Sequence, residues 1–270
     1  MSDILWSMAP QGTEEWLAVR RGRITGSRIK DALDFKAPTK KQQDAGIKRG
    51  EPSSKRLNYA MDTARERVGG RAAEAFVNAA MRLGTTEETH ARVAYEDRTG
   101  NMVEQVGFAY TEDGKFGCSV DGLILRPKPS KLLRVWECKT MVSSDTLFAA
   151  LIDGDISAYR HQCLFNMWLL GAEAVELYLH AWDLPALSRL IVIERDDNEI
   201  QALEDDLMEF ERLVTQYETK LRAKLDPRQW CDEGADTFPP EPVETADPLA
   251  APWALPTTPV DRPALQPADF

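Results

Sequence analysis

The residues best suited to chemistry stand in two short segments, VDG at 120–122 and WECKT at 136–140. Asp121, Glu137 and Lys139 supply two carboxylates and an ammonium, with Glu137 sixteen residues after Asp121. On a strand alternate side chains share a face, so Glu137 and Lys139 point one way while Trp136 and Cys138 point the other. If the two segments pair as an antiparallel hairpin, Asp121 ends the neighbouring strand beside Glu137. Carboxylates placed like this can hold a hard divalent cation, and Mg²⁺ in particular prefers oxygen ligands and keeps waters for substrate phosphates. The lysine can orient a water, help its deprotonation or offset charge on a pentavalent phosphorus. Taken alone, the pattern also fits a solvated strand end carrying a Glu–Lys pair. Three further features favour chemistry: a third carboxylate at Glu88, an amide at Gln162 that can brace the site, and arginines and hydroxyls upstream that suit phosphate.

Those residues need elements to hold them. GTEEWLAVRRG reads as a short helix capped by Thr13, and GSRIKDAL as a second with Ser27 near its N-cap. Residues 36–56 form a basic loop punctuated by proline and glycine. Leu57 to Leu83 and Thr85 to Thr99 read as helices, the latter capped by Thr85 or Thr86 with Glu88 in its first turn. KFGCSVDGLIL and KLLRVWECKT flank RPKPS as an antiparallel hairpin. A helix from about Ser157 to Leu170 follows, then strands near VELYLHAW and SRLIVIER. A long helix from Asn198 to Lys224 places Ile200, Leu203, Leu207, Phe210, Leu213 and Tyr217 on one face. The expected architecture is α/β, a central mixed sheet flanked by helices. Trp16, Trp168 and Trp182 lie in apolar patterns and are expected in the core, and His161 and His180 are expected to be scaffold histidines.

Composition narrows the class. In 270 residues the hydrophobic share is 43% and the charged share 29%, ordinary for a globular chain with a substantial core. No window is long and apolar enough to span a membrane, and MSDILWSMAP lacks the pattern of a secretory signal, so a cytoplasmic protein is expected. Cys118, Cys138, Cys163 and Cys231 are too dispersed for a zinc ribbon or a CxxC pair, and are expected to be reduced. The net charge of −11 argues against a polyanion partner, but it is unevenly spread. Between Arg20 and Arg56 twelve Lys or Arg face four Asp or Glu, whereas Glu233 to Phe270 carries seven acids against Arg262 alone. Nine of the 16 prolines fall in the last 32 residues, so 232–270 reads as an acidic, proline-rich tail after a single domain at 1–231. Trp253 and Phe270 could anchor that tail to a partner.

The ordered segments RRGRITGSRI, LGTTEETHARVAYEDRTG, GCSVDGL, WECKT and HQCLFNMWLLGAE resemble the lambda-exonuclease-like (YqaJ-type) viral recombinase nucleases, a branch of the PD-(D/E)xK superfamily. VIERDDNEIQALEDDLMEFERLV resembles that family's closing strand and helix, so the likeness runs from about Gly12 to Trp230. It implies a restriction-endonuclease-like core with Asp121, Glu137 and Lys139 as the catalytic triad. Asp121, Glu137 and Glu88 would hold Mg²⁺, with Mn²⁺ as a substitute, and Glu87 is the register alternative to Glu88. Gln162 would brace the site, Arg20, Thr25 and Ser27 would grip a 5′ phosphate, and His161 would contact DNA. Two positions depart from the family pattern. Val120 replaces the proline before the aspartate, and Thr111, with Glu112 and Asp113 beside it, stands where some members carry an extra acid.

The implied activity is a phage-type 5′–3′ exonuclease, in a phage or prophage setting within a bacterial host. It would degrade one strand of linear double-stranded DNA bearing a 5′ phosphate to mononucleotides and leave 3′ overhangs. A ring-shaped homotrimer around DNA and a single-strand annealing protein as partner are implied as well. Basic residues of 36–56, including Lys36, Lys40, Lys41, Lys48, Arg49, Lys55 and Arg56, would track the phosphate backbone. The alternatives are a related nuclease of other polarity or endonuclease action, and a non-catalytic protein that binds DNA ends. The dispersed cysteines count against the iron–sulfur members of the superfamily. The intact Asp121, Glu137 and Lys139 count against a pure binder.

Overall fold

The computed structural model describes residues 3–71, 79–125 and 133–225. A compact unit spans Met1–Leu225. The RPKPS turn, Cys231 and the acidic proline-rich segment lie outside the described residues.

The chain opens with β1 (Ile4–Ser7) and α1 (Glu14–Arg20). The Thr13 hydroxyl accepts the Trp16 N–H, and Glu14, Glu15 and Arg20 suit the helix dipole at either end. β2 (Ile24–Thr25) leads through a 3₁₀ turn at Gly26–Arg28 into the short α2 (Ile29–Ala32). Ser27 therefore sits inside the turn and does not cap a long helix. The basic segment contains α3 (Lys40–Asp44), opened by a capping box between Thr39 and Gln42, and gives way to α4 (Ser54–Arg67).

α5 (Ala79–Thr99) is continuous, which corrects the expected start at Thr85 or Thr86. Thr86 does not cap: its hydroxyl donates to the Arg82 carbonyl within the helix, 3.0 Å away. Glu88 consequently lies in mid-helix. β3 (Met102–Glu104), β4 (Phe108–Thr111), β5 (Phe116–Ser119), β6 (Gly122–Leu125) and β7 (Arg134–Thr140) follow. Next come α6 (Ser144–Leu147), continued by one wide turn at Phe148–Ile152, and α7 (Ser157–Leu170), which ends at Gly171 with φ of 63°. β8 (Ala174–His180), β9 (Arg189–Glu194) and α8 (Asp197–Leu225) complete the unit.

The strands form two mixed sheets, ordered β1-β4-β5-β2 and β3-β6-β7-β8-β9, flanked by helices. The fold class is thus α/β as expected, with two sheets where one was read. KFGCSVDGLIL is not one strand: β5 belongs to the first sheet and β6 to the second, and Val120–Asp121 carries the chain between them. Gly122 makes that transfer possible, because a Cβ there would stand 2.2 Å from Val103 Cγ1 on β3. β6 and β7 pair antiparallel with Gly122 opposite Trp136, and β7 and β8 pair parallel with Glu137 opposite Leu177.

Hydrophobic burial divides the two faces of β7. Val135 joins the large core with α4, α7 and α8, built on Tyr59, Phe165, Leu207 and Phe210. Trp136 and Cys138 pack instead with Ala91 and Tyr95 of α5 and with Tyr178. Trp16 and Trp168 are buried, but Trp182 is 43% exposed beyond the end of β8 and is no core residue. Cys118, Cys138 and Cys163 are free and buried. Among the described residues, no helix is long and apolar enough to cross a membrane.

Candidate active site

The alternation read from WECKT holds: Glu137 and Lys139 share a face and are joined by a 2.7 Å ion pair between Lys139 Nζ and Glu137 Oε1. Glu137 is 1% exposed and fully partnered. Its Oε1 also accepts from Gln162 Nε2 at 2.6 Å, and its Oε2 accepts from Asn166 Nδ2 at 2.9 Å. Gln162 and Asn166 are one turn apart on α7, so one helical face holds the carboxylate. Asp121, at the crossing between the sheets, accepts the Cys138 N–H at 2.7 Å through Oδ2.

Electrostatics links a third carboxylate to this pair. Burial first, and Asp121 second, push Glu88 up to about 7 against the pull of Lys139 and Arg92. Burial and then Asp121 likewise push Glu137 up to about 7, and burial raises Asp121. Burial alone would lower Lys139, but Glu137 and Asp121 outweigh it and hold the ammonium above the usual lysine range. The lysine in this arrangement is a charged donor, suited to orienting a water or offsetting negative charge and not to accepting a proton.

The structure separates Glu88 from Glu87. Glu88 and Asp121 line one cleft of about 320 Å³, together with Met8, Trp16, Gln105 and Ser119. Glu87 turns to the histidines, 3.2 Å from His90 Nδ1 and 3.7 Å from His180 Nε2. His180 is buried at the end of β8, and neither ring nitrogen has a hydrogen-bond partner among the described residues. His161 adjoins Gln162 in sequence only; it is exposed, with Lys30, Arg160, Asp206 and Glu199 as its charged neighbours.

No three His, Cys, Asp or Glu side chains among the described residues are drawn together closely enough to hold a metal. The donor set nonetheless fits a hard divalent cation. Asp121, Glu137 and Glu88 offer only carboxylate oxygens, and Asp121 disfavours the ionised forms of both glutamates, a repulsion that a cation would relieve. Sulfur and imidazole donors are absent from this set: the buried Cys118 and Cys138 thiols are pushed up, first by burial.

The three residues read as a phosphate grip come together. Arg20 Nη2 donates to Thr25 Oγ1 at 3.0 Å and to Ser27 Oγ at 2.7 Å, and its guanidinium lies 5.1 Å from the Trp16 ring centroid. Burial lowers the Arg20 pKa, with Tyr59 and Glu66 opposing, yet a guanidinium stays charged at neutral pH. Trp16 Nε1 in turn donates to Ser119 Oγ at 3.2 Å, two residues before Asp121.

The basic segment is less free than its composition implies. Arg56 is 1% exposed, donating to the Ala32 carbonyl and to Glu209 Oε1, and Arg49 is held by Asp206. Both are anchors to α8. Lys40, Lys41, Lys48 and Lys55 are exposed and make no ion pair among the described residues. Thr111, at the position where some members of the resembled family carry an extra acid, donates to Asp113 Oδ1 at 2.6 Å and accepts the Phe116 N–H, so it closes the β4–β5 turn. Asn166 was missed because it lies in the apolar run LFNMW; its spacing of four from Gln162 was the available signal.

The family described as YqaJ-like viral recombinase domain matches residues 15–173. No curated protein matches the chain. Among solved structures, the chain is similar to the alkaline exonuclease LHK-Exo from Laribacter hongkongensis, at 28% identity and a TM-score of 0.63 over 78% of this chain and 97% of that one. The same figures hold for LHK-Exo in complex with dAMP. A phage related exonuclease from Haemophilus somnus 129PT is 16% identical over 75% of this chain and 96% of its own, with a TM-score of 0.49.

Proposed function

The chain belongs to the family of YqaJ-like viral recombinase domains, and on that premise we propose that it is a phage-type exonuclease that degrades one strand of linear duplex DNA. It works from a phosphorylated 5′ end, releases 5′ mononucleotides and leaves a 3′ overhang for single-strand annealing. The observation that carries the reading is Glu137 and Lys139 side by side on β7, with Asp121 at the neighbouring strand's start. A protein that only binds DNA ends has no use for an ammonium held against a buried carboxylate at that point. The likeness to an alkaline exonuclease along 97% of its length, and that enzyme's complex with a nucleoside monophosphate, support the same class of substrate and product.

Asp121, Glu137 and Glu88 would hold the divalent cation, Mg²⁺ or Mn²⁺. When bound there, such a cation supplies a Lewis acid for the phosphate and a lowered pKa for the attacking water. Lys139, kept protonated by its acidic neighbours, orients that water and offsets charge growing on the phosphoryl oxygens. Gln162 keeps Glu137 in place through its 2.6 Å hydrogen bond. Arg20, Thr25 and Ser27 take the terminal phosphate, for which a guanidinium beside two hydroxyls is a suitable donor set. The exposed lysines of 36–56 add sequence-independent attraction to the backbone, and His161 contributes at the periphery. A closed ring of three copies and an annealing-protein partner complete the proposal, with residues 232–270 as the docking element.

Polarity is the decisive test. Linear duplexes blocked by phosphorothioates at either both 5′ or both 3′ ends are digested with Mg²⁺, and the released nucleotides are identified by mass spectrometry. Mononucleotides from the 3′-blocked duplex alone support the reading. Release from the 5′-blocked duplex, or cutting of closed circles, overturns it.

A further inference from the structure

Asn166 stands between two parts of the site that share no residue. Its side chain is fully buried in α7, and its amide nitrogen donates to Glu137 Oε2 at 2.9 Å. Its Oδ1 is buried without a hydrogen-bond partner among the described residues, a costly placement for a polar atom. That oxygen faces the backbone of Gly26, the residue between Thr25 and Ser27. A Cβ on Gly26 would stand 3.1 Å from Asn166 Oδ1, 3.0 Å from Phe165 Cδ1 and 3.7 Å from Gln162 Cγ. The turn that presents the two Arg20-bound hydroxyls is therefore packed directly on the helical face that fixes Glu137. A methyl group there would be tight against both side chains, so the turn or the α7 side chains would have to give by a few tenths of an ångström.

We propose that Asn166 is a positioning residue that couples occupancy of the Arg20–Thr25–Ser27 grip to the alignment of Glu137. A phosphate that draws on Thr25 and Ser27 shifts Gly26 relative to Asn166, and the amide passes that shift to the carboxylate through its hydrogen bond to Glu137. An end lacking phosphate leaves the turn unloaded and Glu137 less well placed. The inference rests on the nuclease reading for its substrate and not for its geometry.

Two measurements on the full chain test it together. The first is kcat and KM on linear duplexes with 5′-phosphate or 5′-hydroxyl ends. The second is Mn²⁺ affinity by calorimetry, with and without a phosphorothioate-blocked duplex bearing either end. Wild type, Asn166→Ala, Asn166→Asp and Gly26→Ala are compared, each checked for native-like thermal unfolding. The wild type is expected to bind Mn²⁺ at least about fivefold more tightly with the phosphorylated duplex than with the hydroxyl one. Asn166→Ala is expected to lose that difference and to lower kcat on phosphorylated ends about 10- to 100-fold with KM little changed, as expected for one hydrogen bond to a charged group. Asn166→Asp, which sets a second carboxylate against Glu137, falls further, and Gly26→Ala loses the end preference through backbone displacement alone. If the variants slow both ends by equal factors and keep the Mn²⁺ difference, the coupling is refuted although the protein is still a nuclease. If no duplex is cleaved by the wild type yet the Mn²⁺ difference appears and vanishes in Asn166→Ala, the nuclease reading fails and the coupling stands.

Discussion

Replacing Glu88 by glutamine removes one of three neighbouring carboxylates and leaves the shape of the cleft nearly unchanged. Burial and Asp121 hold this carboxyl at about 7 against an ordinary 4.5. At 1.36 kcal/mol per pKa unit the ionised form is disfavoured by about 3 kcal/mol at most. Water reaching the half-buried side chain reduces this to about 1.5 kcal/mol. The sign follows from linkage: a carboxyl raised on folding stabilises the protein fully below 4.5, and that contribution is lost as pH rises through about 7. Metal-free wild type is therefore expected to match Glu88→Gln near pH 4.5 and to fall behind it progressively up to pH 8. There the variant should melt about 3–6 °C higher, at roughly 2–4 °C per kcal/mol for a domain of this size. His180, whose pKa burial lowers, biases both proteins equally toward stability at higher pH and cancels in the difference. Adding Mn²⁺ at pH 8 should reverse the order, because the wild type then offers one more anionic ligand. Scanning fluorimetry in EDTA and in Mn²⁺ across this range reads both effects. A difference that does not vary with pH, or a metal-free wild type more stable than the variant at pH 8, would refute the electrostatic account of the cluster.

Arg20→Ala is expected to raise KM for 5′-phosphorylated duplex about 10- to 100-fold and to leave 5′-hydroxyl ends nearly unaffected, as steady-state kinetics on the two substrates will read. Arg67, half-buried, and the buried Glu211 form a bidentate pair with both N–O distances at 2.8 Å, so Arg67→Ala strands a buried carboxylate. Denaturant unfolding should show a loss of about 3–5 kcal/mol. Changing Lys40, Lys41 and Lys48 together to glutamine should flatten the salt dependence of duplex binding by about one unit of slope for each phosphate that is no longer neutralised. Arg56→Gln should instead lower stability, since Arg56 is buried against Ala32 and Glu209.

Much of this site was legible because its signals are local. Period-two alternation in WECKT placed Glu137 and Lys139 on one face, and the apolar rhythm of α7 and α8 gave both helices nearly to the residue. What stayed hidden depends on tertiary partners. Thr85 and Thr86 look like caps in sequence, but Thr86 bonds back into a helix already under way. The break at Val120–Asp121 reflects the approach of Gly122 to Val103, a residue on another strand. The basic charge of 36–56 was visible, whereas its partition into α8 anchors and free lysines was not, because Asp206 and Glu209 lie about 150 residues away. Asn166 reads as an amide lost in an apolar helix until Glu137 is seen beside it. Trp182 sits in an apolar stretch yet lies past the last buried position of β8.

The central claim is that Asp121, Glu137 and Lys139 form a metal-dependent hydrolytic site. It is tested most directly by single-turnover digestion of a 5′-labelled linear duplex by wild type, Asp121→Asn and Lys139→Met, each in Mg²⁺ and in EDTA, with duplex binding measured alongside. The account predicts label release by the wild type in Mg²⁺ alone. It also predicts at least about a 10³-fold loss in both variants, as for other groups acting only in the transition state, while duplex binding is retained. Release that survives EDTA, or a variant that keeps a tenth or more of the wild-type rate, would contradict it.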